Sequence, residues 1–213
     1  MCQIWSALFG LFSIILVVPG PAPAAEPHPM LADAQSVLAL DKDDHVLGKS
    51  GAPITIIEYA SLTCPHCAHF ANEVLPELKK KWIDTGKVKL VLRDYPLDKP
   101  ALQAAMIARC APPDRYYAFI DTFFATQEKW VTASDYLDAL ARLTKLGGMS
   151  KEEFDNCLKN SALENKILQE RLVASKELDV NSTPTFFINS TKFTGAPTVE
   201  EFDKVLSGLS AKS

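Results

Sequence analysis

Two hydrophobic periods alternate along this chain. Ile54-Thr55-Ile56-Ile57-Glu58-Tyr59-Ala60 is nearly continuously apolar and rich in β-branched residues, the pattern of a strand buried on both faces. Beyond it Phe70, Val74, Leu75, Leu78 and Trp82 recur at helical spacing. That helix is expected to run to about Asp84 and to stop at Gly86. Pro76 should kink it, since a mid-helix proline deletes one hydrogen bond and crowds the preceding turn. Lys87 to Arg93 reads as a second strand, closing at Pro96. A strand–helix–strand unit implies a parallel pair with a right-handed crossover.

From Asp98 to about Glu177 the pattern is helical throughout. Ala101–Ala111 is alanine-rich and ends before Pro112-Pro113. Tyr116–Thr126 carries an aromatic face, Ser134–Leu146 stops at Gly147-Gly148, and Ser150-Lys151-Glu152-Glu153 forms a capping box. Ser161–Leu178 reads as a long amphipathic helix. Asn181-Ser182-Thr183-Pro184 then interrupts the chain. Thr185–Asn189 is a third strand, Lys192-Phe193-Thr194 a short edge strand, and Thr198-Val199-Glu200-Glu201 a second capping box opening a last helix to about Leu209. Upstream, a short helix is expected around Met30–Leu40 and a short strand at Asp44–Gly48.

The junction of the first long strand and its helix is Cys64-Pro65-His66-Cys67. Pro65 suits a first helical position. A thiol at a helix N-terminus faces unpaired N–H groups and the positive end of the helix dipole, which favour thiolate and should lower the Cys64 pKa. His66 adds another donor and a charge. Cys67 lies one turn deeper, within disulfide reach. Cys64 is thus expected to be the exposed, attacking sulfur and Cys67 its resolving partner. A structural cysteine pair or half of a zinc site are the other readings. No second C-x-x-C or H-x-x-x-H follows, which weighs against metal.

The chain has 213 residues and a net charge of −4, with no basic run that would suit nucleic acid. Met1 to Ala25 carries no charged side chain, and an apolar run is followed by Pro19–Ala25. This reads as a secretory signal peptide cleaved after Ala24 or Ala25, although it lacks the usual basic start. An uncleaved N-terminal anchor is the alternative, with an apolar run short for a bilayer. Of the five cysteines Cys2 lies in this leader, leaving an even set of Cys64, Cys67, Cys110 and Cys157 for an oxidising compartment.

Cys64-Pro65-His66-Cys67, the strand ending Ile57-Glu58-Tyr59 before it, and Thr183-Pro184-Thr185-Phe186-Phe187 after a helical stretch together resemble the DsbA family of thiol-disulfide oxidoreductases. Asp44–Gly48 followed by Ala52–Ile56 resembles it too, so the likeness spans Asp44 to the C-terminus. The resemblance implies an α/β thioredoxin fold with an inserted helical subdomain. Its parts would be 26–97 and 179–213 for the thioredoxin fold, 98–178 for the insert and 1–25 for the signal peptide. It also implies a cis Thr183–Pro184 bond beside Cys64, with the Thr183 backbone open to an extended substrate peptide. Glu58 matches an acidic residue kept beneath the active site, where it would relay a proton to or from Cys67; from the residues alone it reads equally as a carboxylate facing water. Cys110 and Cys157 resemble an additional disulfide found in the helical domain of a subgroup. The implied activity is periplasmic oxidation of newly exported thiol proteins, with reoxidation by a DsbB-like membrane quinone reductase. No tightly bound cofactor is required and no nucleotide motif is present. The alternatives are an isomerase or reductase of the same fold, or a non-catalytic metallochaperone or holdase. About eighteen residues separate Glu26 from Asp44, too few for the dimerisation domain of the isomerases, so a monomer is expected.

Overall fold

β2 (Ile54–Ala60) occupies the middle of a five-stranded sheet because both its faces are apolar and must be covered. The computed structural model describes residues 30–194 and 197–211; the leader reading over 1–25, with Cys2, lies outside them. In chain order, α1 (Met30–Leu38) and β1 (Val46–Leu47) precede β2. A continuous helical rod follows, made of α2 (Pro65–His69), a wider π-helical turn (Phe70–Val74), α3 (Leu75–Leu78) and a second π turn (Lys79–Ile83). β3 (Val88–Asp94) is parallel to β2, with Glu58 beside Leu92. The helical layer comprises α4 (Lys99–Arg109), α5 (Tyr116–Ala125), α6 (Gln127–Val131), α7 (Tyr136–Leu146), α8 (Lys151–Leu158) and α9 (Ser161–Glu177). β4 (Thr185–Ile188), β5 (Thr191–Thr194) and α10 (Val199–Ser210) complete the chain. The strand order is β1-β3-β2-β4-β5, and every neighbouring pair but β2 and β3 is antiparallel.

Helical backbone continues through Pro76 without a break. It widens one turn earlier, and the Leu75 N–H donates to the Phe70 carbonyl five residues back. The π turn gives the proline ring room without breaking the rod. Gly86, at φ 78°, supplies the left-handed residue after the rod.

Alternation along β2 sends Ile54, Ile56 and Glu58 to one face and Ile57 and Tyr59 to the other. The first face packs against the rod and α10, where Phe70, Phe186 and Phe202 meet in tilted and edge-to-face pairs with ring centroids 4.7–5.7 Å apart. Burying such a ring contributes about 1.5–3 kcal/mol, so this cluster fixes the rod over the sheet. The second face meets α1 and the end of α9 through Leu38, Ala174 and Val180. A separate core centred on Tyr116, Phe123, Trp130 and Ile167 joins the helical layer to Cys64 and Cys67. Both capping boxes form, at Ser150 and Thr198.

Two elements depart from the sequence pattern. α9 has no apolar stripe: only Ile167 and Ala174 are buried, while Leu168, Leu172 and Val173 are exposed. Its apolar residues wind around the axis, and ion pairs of Arg109 with Glu170 and of Lys166 with Asp43 help hold it. α6 lies just beyond the predicted Tyr116–Thr126 helix. With five residues it is too short to show a period.

Candidate active site

Cys64 is the N-cap of α2, with extended backbone (φ −79°, ψ 121°), and Pro65 opens the helix. Its sulfur lies among donors. The backbone N–H groups of His66 and Cys67, the Cys67 thiol and the Thr183 side chain all stabilise a Cys64 thiolate, with Cys67 Sγ the largest contributor. Together they hold the Cys64 pKa at about 5, against partial burial that opposes them. As a thiol, Cys64 donates to the Thr183 carbonyl at 3.3 Å. Cys67 is the reverse case. Burial first, then the neighbouring Cys64 sulfur and Glu58, push its pKa far above the usual thiol value. Both sulfurs are free thiols.

The expectation of an exposed Cys64 needs correction. The residue is only 5% exposed, against 0% for Cys67. The chain at Thr183 lies across it. The asymmetry between the thiols therefore comes from hydrogen bonding and depth more than from access. His66 is also placed differently from the expectation. It is exposed, and what it offers Cys64 is its backbone N–H. Any residue but proline at this position supplies that N–H.

The Thr183–Pro184 peptide bond is cis. Pro184 is buried, and Thr183 Oγ1 is buried without a conventional hydrogen-bond partner while lying near enough to Cys64 to favour its thiolate. Glu58 is 2% exposed, so the water-facing reading fails: alternation and the central position of β2 place it under the rod. Its Oε1 has no partner, and burial, with Cys64 as a second cause, raises its pKa to about 8. Its carboxyl is therefore protonated at neutral pH beneath the Cys67 thiol.

Cys110 and Cys157 form a disulfide across 47 residues, with Cα atoms 6.1 Å apart, between the end of α4 and the last turn of α8. Cys157 is buried in the helical core and Cys110 is exposed, and neither is among the groups that stabilise the Cys64 thiolate.

Sequence reasoning missed Gln127. From α6 its side-chain amide donates to the Leu62 carbonyl at 2.9 Å and the Cys64 carbonyl at 3.0 Å. A glutamine 63 residues beyond the cysteine motif carries no local signal. Among the described residues no helix is long and apolar enough to cross a membrane, and no cluster of three or more His, Cys, Asp or Glu side chains could hold a metal ion.

A thioredoxin family model matches residues 40–207. A Rickettsia conorii protein named as a protein-disulfide oxidoreductase is 33% identical over 170 residues, covering 79% of this chain; the chain spans 61% of that relative's length. The crystal structure of Wolbachia pipientis alpha-DsbA1 superposes with a TM-score of 0.79 at 33% identity, covering 84% of this chain and 96% of that one. The crystal structure of a protein-disulfide isomerase from Novosphingobium aromaticivorans gives 0.70 at 26% identity, covering 80% of this chain and 99% of the other.

Proposed function

The chain belongs to the thioredoxin-fold, DsbA-like family of protein-disulfide oxidoreductases, and from that premise we propose that it is a periplasmic dithiol oxidase acting on newly exported proteins. The observation that carries this reading is the contrast between a Cys64 thiolate held at about 5 and a Cys67 thiol pushed far up.

In the oxidised enzyme a substrate thiolate attacks Cys64 Sγ, forming a mixed disulfide and expelling Cys67. Cys67 leaves most easily as a thiol. Glu58, protonated at neutral pH, is the acid placed to supply that proton. The substrate's second thiolate then attacks its own sulfur in the mixed disulfide and expels Cys64 as a stable thiolate. Two electrons pass from substrate to enzyme, and the substrate leaves with its disulfide. Leaving-group stability drives the reaction, because a low-pKa thiol departs faster and its reduced form is favoured. The cis Thr183–Pro184 edge offers backbone groups to an extended substrate segment beside Cys64. Regeneration needs an acceptor, for which a DsbB-like membrane quinone reductase is the proposed partner, and the enzyme acts as a monomer.

Equilibration with glutathione tests the reading. An oxidase should show a potential above about −200 mV, whereas a value near about −270 mV would make the protein a reductase. Disulfide isomerisation is the second reading, favoured by the likeness to the Novosphingobium isomerase. It predicts that the reduced protein rescues a scrambled substrate faster than the oxidised protein oxidises a reduced one.

A further inference from the structure

The turn that carries Cys64 is fastened from outside the sheet domain. Gln127 is the first residue of α6, and its Nε2 reaches across 65 residues of chain to Leu62 O and 63 to Cys64 O. All three residues are buried, at 9%, 3% and 5% exposure. The support behind Gln127 is firm. Trp130 Nε1, in the same short helix, donates to the Phe123 carbonyl at 2.8 Å and locks α6 against α5. Asn72 of the rod donates to the Phe124 carbonyl at 3.2 Å and ties α5 to the helix that starts at Cys64.

We propose that Gln127 is a positioning residue of the redox centre, whose side-chain amide holds the Leu62–Cys64 turn and so favours the reduced state of the Cys64–Cys67 pair.

Two physical effects point the same way. Leu62 O and Cys64 O are partial negative charges in a low-dielectric pocket close to the sulfur. The amide hydrogens neutralise them, and without those hydrogens an anionic sulfur nearby is less favourable. The two bonds also fix the turn from which the His66 and Cys67 N–H groups are aimed at Cys64 Sγ. The Cys64 carbonyl already accepts the Ala68 N–H at 3.1 Å, so α2 itself survives loss of Gln127, and what loosens is the approach to it. The neutral disulfide gains little from either effect, so the amide acts mainly on the reduced form.

The proposal rests on Cys64 as the reacting thiol. Gln127→Met keeps the length of the side chain and removes both donors. Relative to wild type, Cys64 in this variant should titrate about one pH unit higher in the reduced protein. Its equilibrium with glutathione should move about tenfold toward the disulfide, equivalent to about 30 mV. Gln127→Asn, shorter but still polar, should move both quantities in the same direction and provides the reading if the methionine variant does not fold. Cys110→Ala/Cys157→Ala is the control for simple loss of stability, since it removes the bridge between α4 and α8 and leaves α6 and its amide in place. It should lower the melting temperature with Cys64 titration and potential unchanged. A Gln127 variant that is less stable but titrates and equilibrates as wild type would overturn the proposal. So would a Cys110→Ala/Cys157→Ala protein with the same shifts. A wild-type Cys64 that titrates as an ordinary thiol would instead fail the underlying reading of the site.

Discussion

The two cysteine pairs of this protein sit at opposite ends of helices. Cys64 caps the N-terminus of α2, where free N–H groups and the positive end of the helix dipole face its sulfur. Cys110 caps the C-terminus of α4, and Cys157 lies in the last turn of α8, where unpaired carbonyls and the negative end disfavour an anion. The first pair is present as free thiols and the second as a disulfide. A disulfide is labile when one of its sulfurs is a good leaving group. Cys64 is made into one, and neither Cys110 nor Cys157 is. The same residue type thus gives a reagent at one end of a helix and a staple at the other.

The sharpest way to break this comparison is to remove the reagent. Cys64→Ser should abolish oxidation of a reduced two-thiol peptide, while Cys110→Ala/Cys157→Ala should retain it; activity surviving the first change would void the contrast.

The next largest effect is a pH dependence. Cys64 is held at about 5 in the reduced fold against 9 for an ordinary thiol, and that depression stabilises the reduced fold. Because the folded value is depressed, this stability is complete above the unfolded value and is lost as pH falls through 5. The oxidised protein has no such contribution. The melting temperature of the reduced protein, minus that of the oxidised protein, should therefore climb between pH 5 and pH 9. Glu58, raised from 4.5 to about 8, works in the opposite sense, since a raised carboxyl costs stability as pH rises. Its main cause is burial, common to both redox forms, so it largely cancels in the difference. A flat difference would show that Cys64 is not the special thiol.

Removing the staple comes third. Closing a loop of 47 residues is worth about 4 kcal/mol on the chain-entropy model, an upper figure. Denaturant titration of the Cys110→Ala/Cys157→Ala protein should show a loss approaching this value, and an unchanged midpoint would mean the bridge stabilises nothing.

Glu58→Gln sharpens the comparison from beneath. Without an acid under Cys67, formation of the mixed disulfide at neutral pH should slow by roughly 10²-fold in stopped-flow measurements, since general acid catalysis is typically worth at least that. Its rate should also lose the inflection near pH 8. The smallest effect belongs to His66→Ala. The ring is exposed and the N–H facing Cys64 is retained in alanine, so an interaction of under about 1 kcal/mol is expected, or less than about 20 mV. A larger shift would mean that the imidazole itself reaches the thiolate.

Sequence alone determined the strands, the capping boxes and the strand-to-helix placement of Cys64-Pro65-His66-Cys67. Each is written in neighbouring residues, as a period of about 2 or 3.6, a cap three residues ahead, or a proline at a helix start. The acidity expected of Cys64 followed from the same local fact. What only the tertiary structure decided involves residues far apart in the chain. The apolar run through Ile54–Ala60 could not say whether Glu58 faced water, because its burial depends on β3 and β4 flanking β2 and the rod lying above. The near-burial of Cys64 depends on a chain segment that arrives 119 residues later, at Thr183. The bonds from Gln127, the π turn that absorbs Pro76 and the exposed apolar residues of α9 are likewise settled by packing. A hydrophobic period records which face of an element is covered; it does not record what covers it, nor the distance from one element to a sulfur on another.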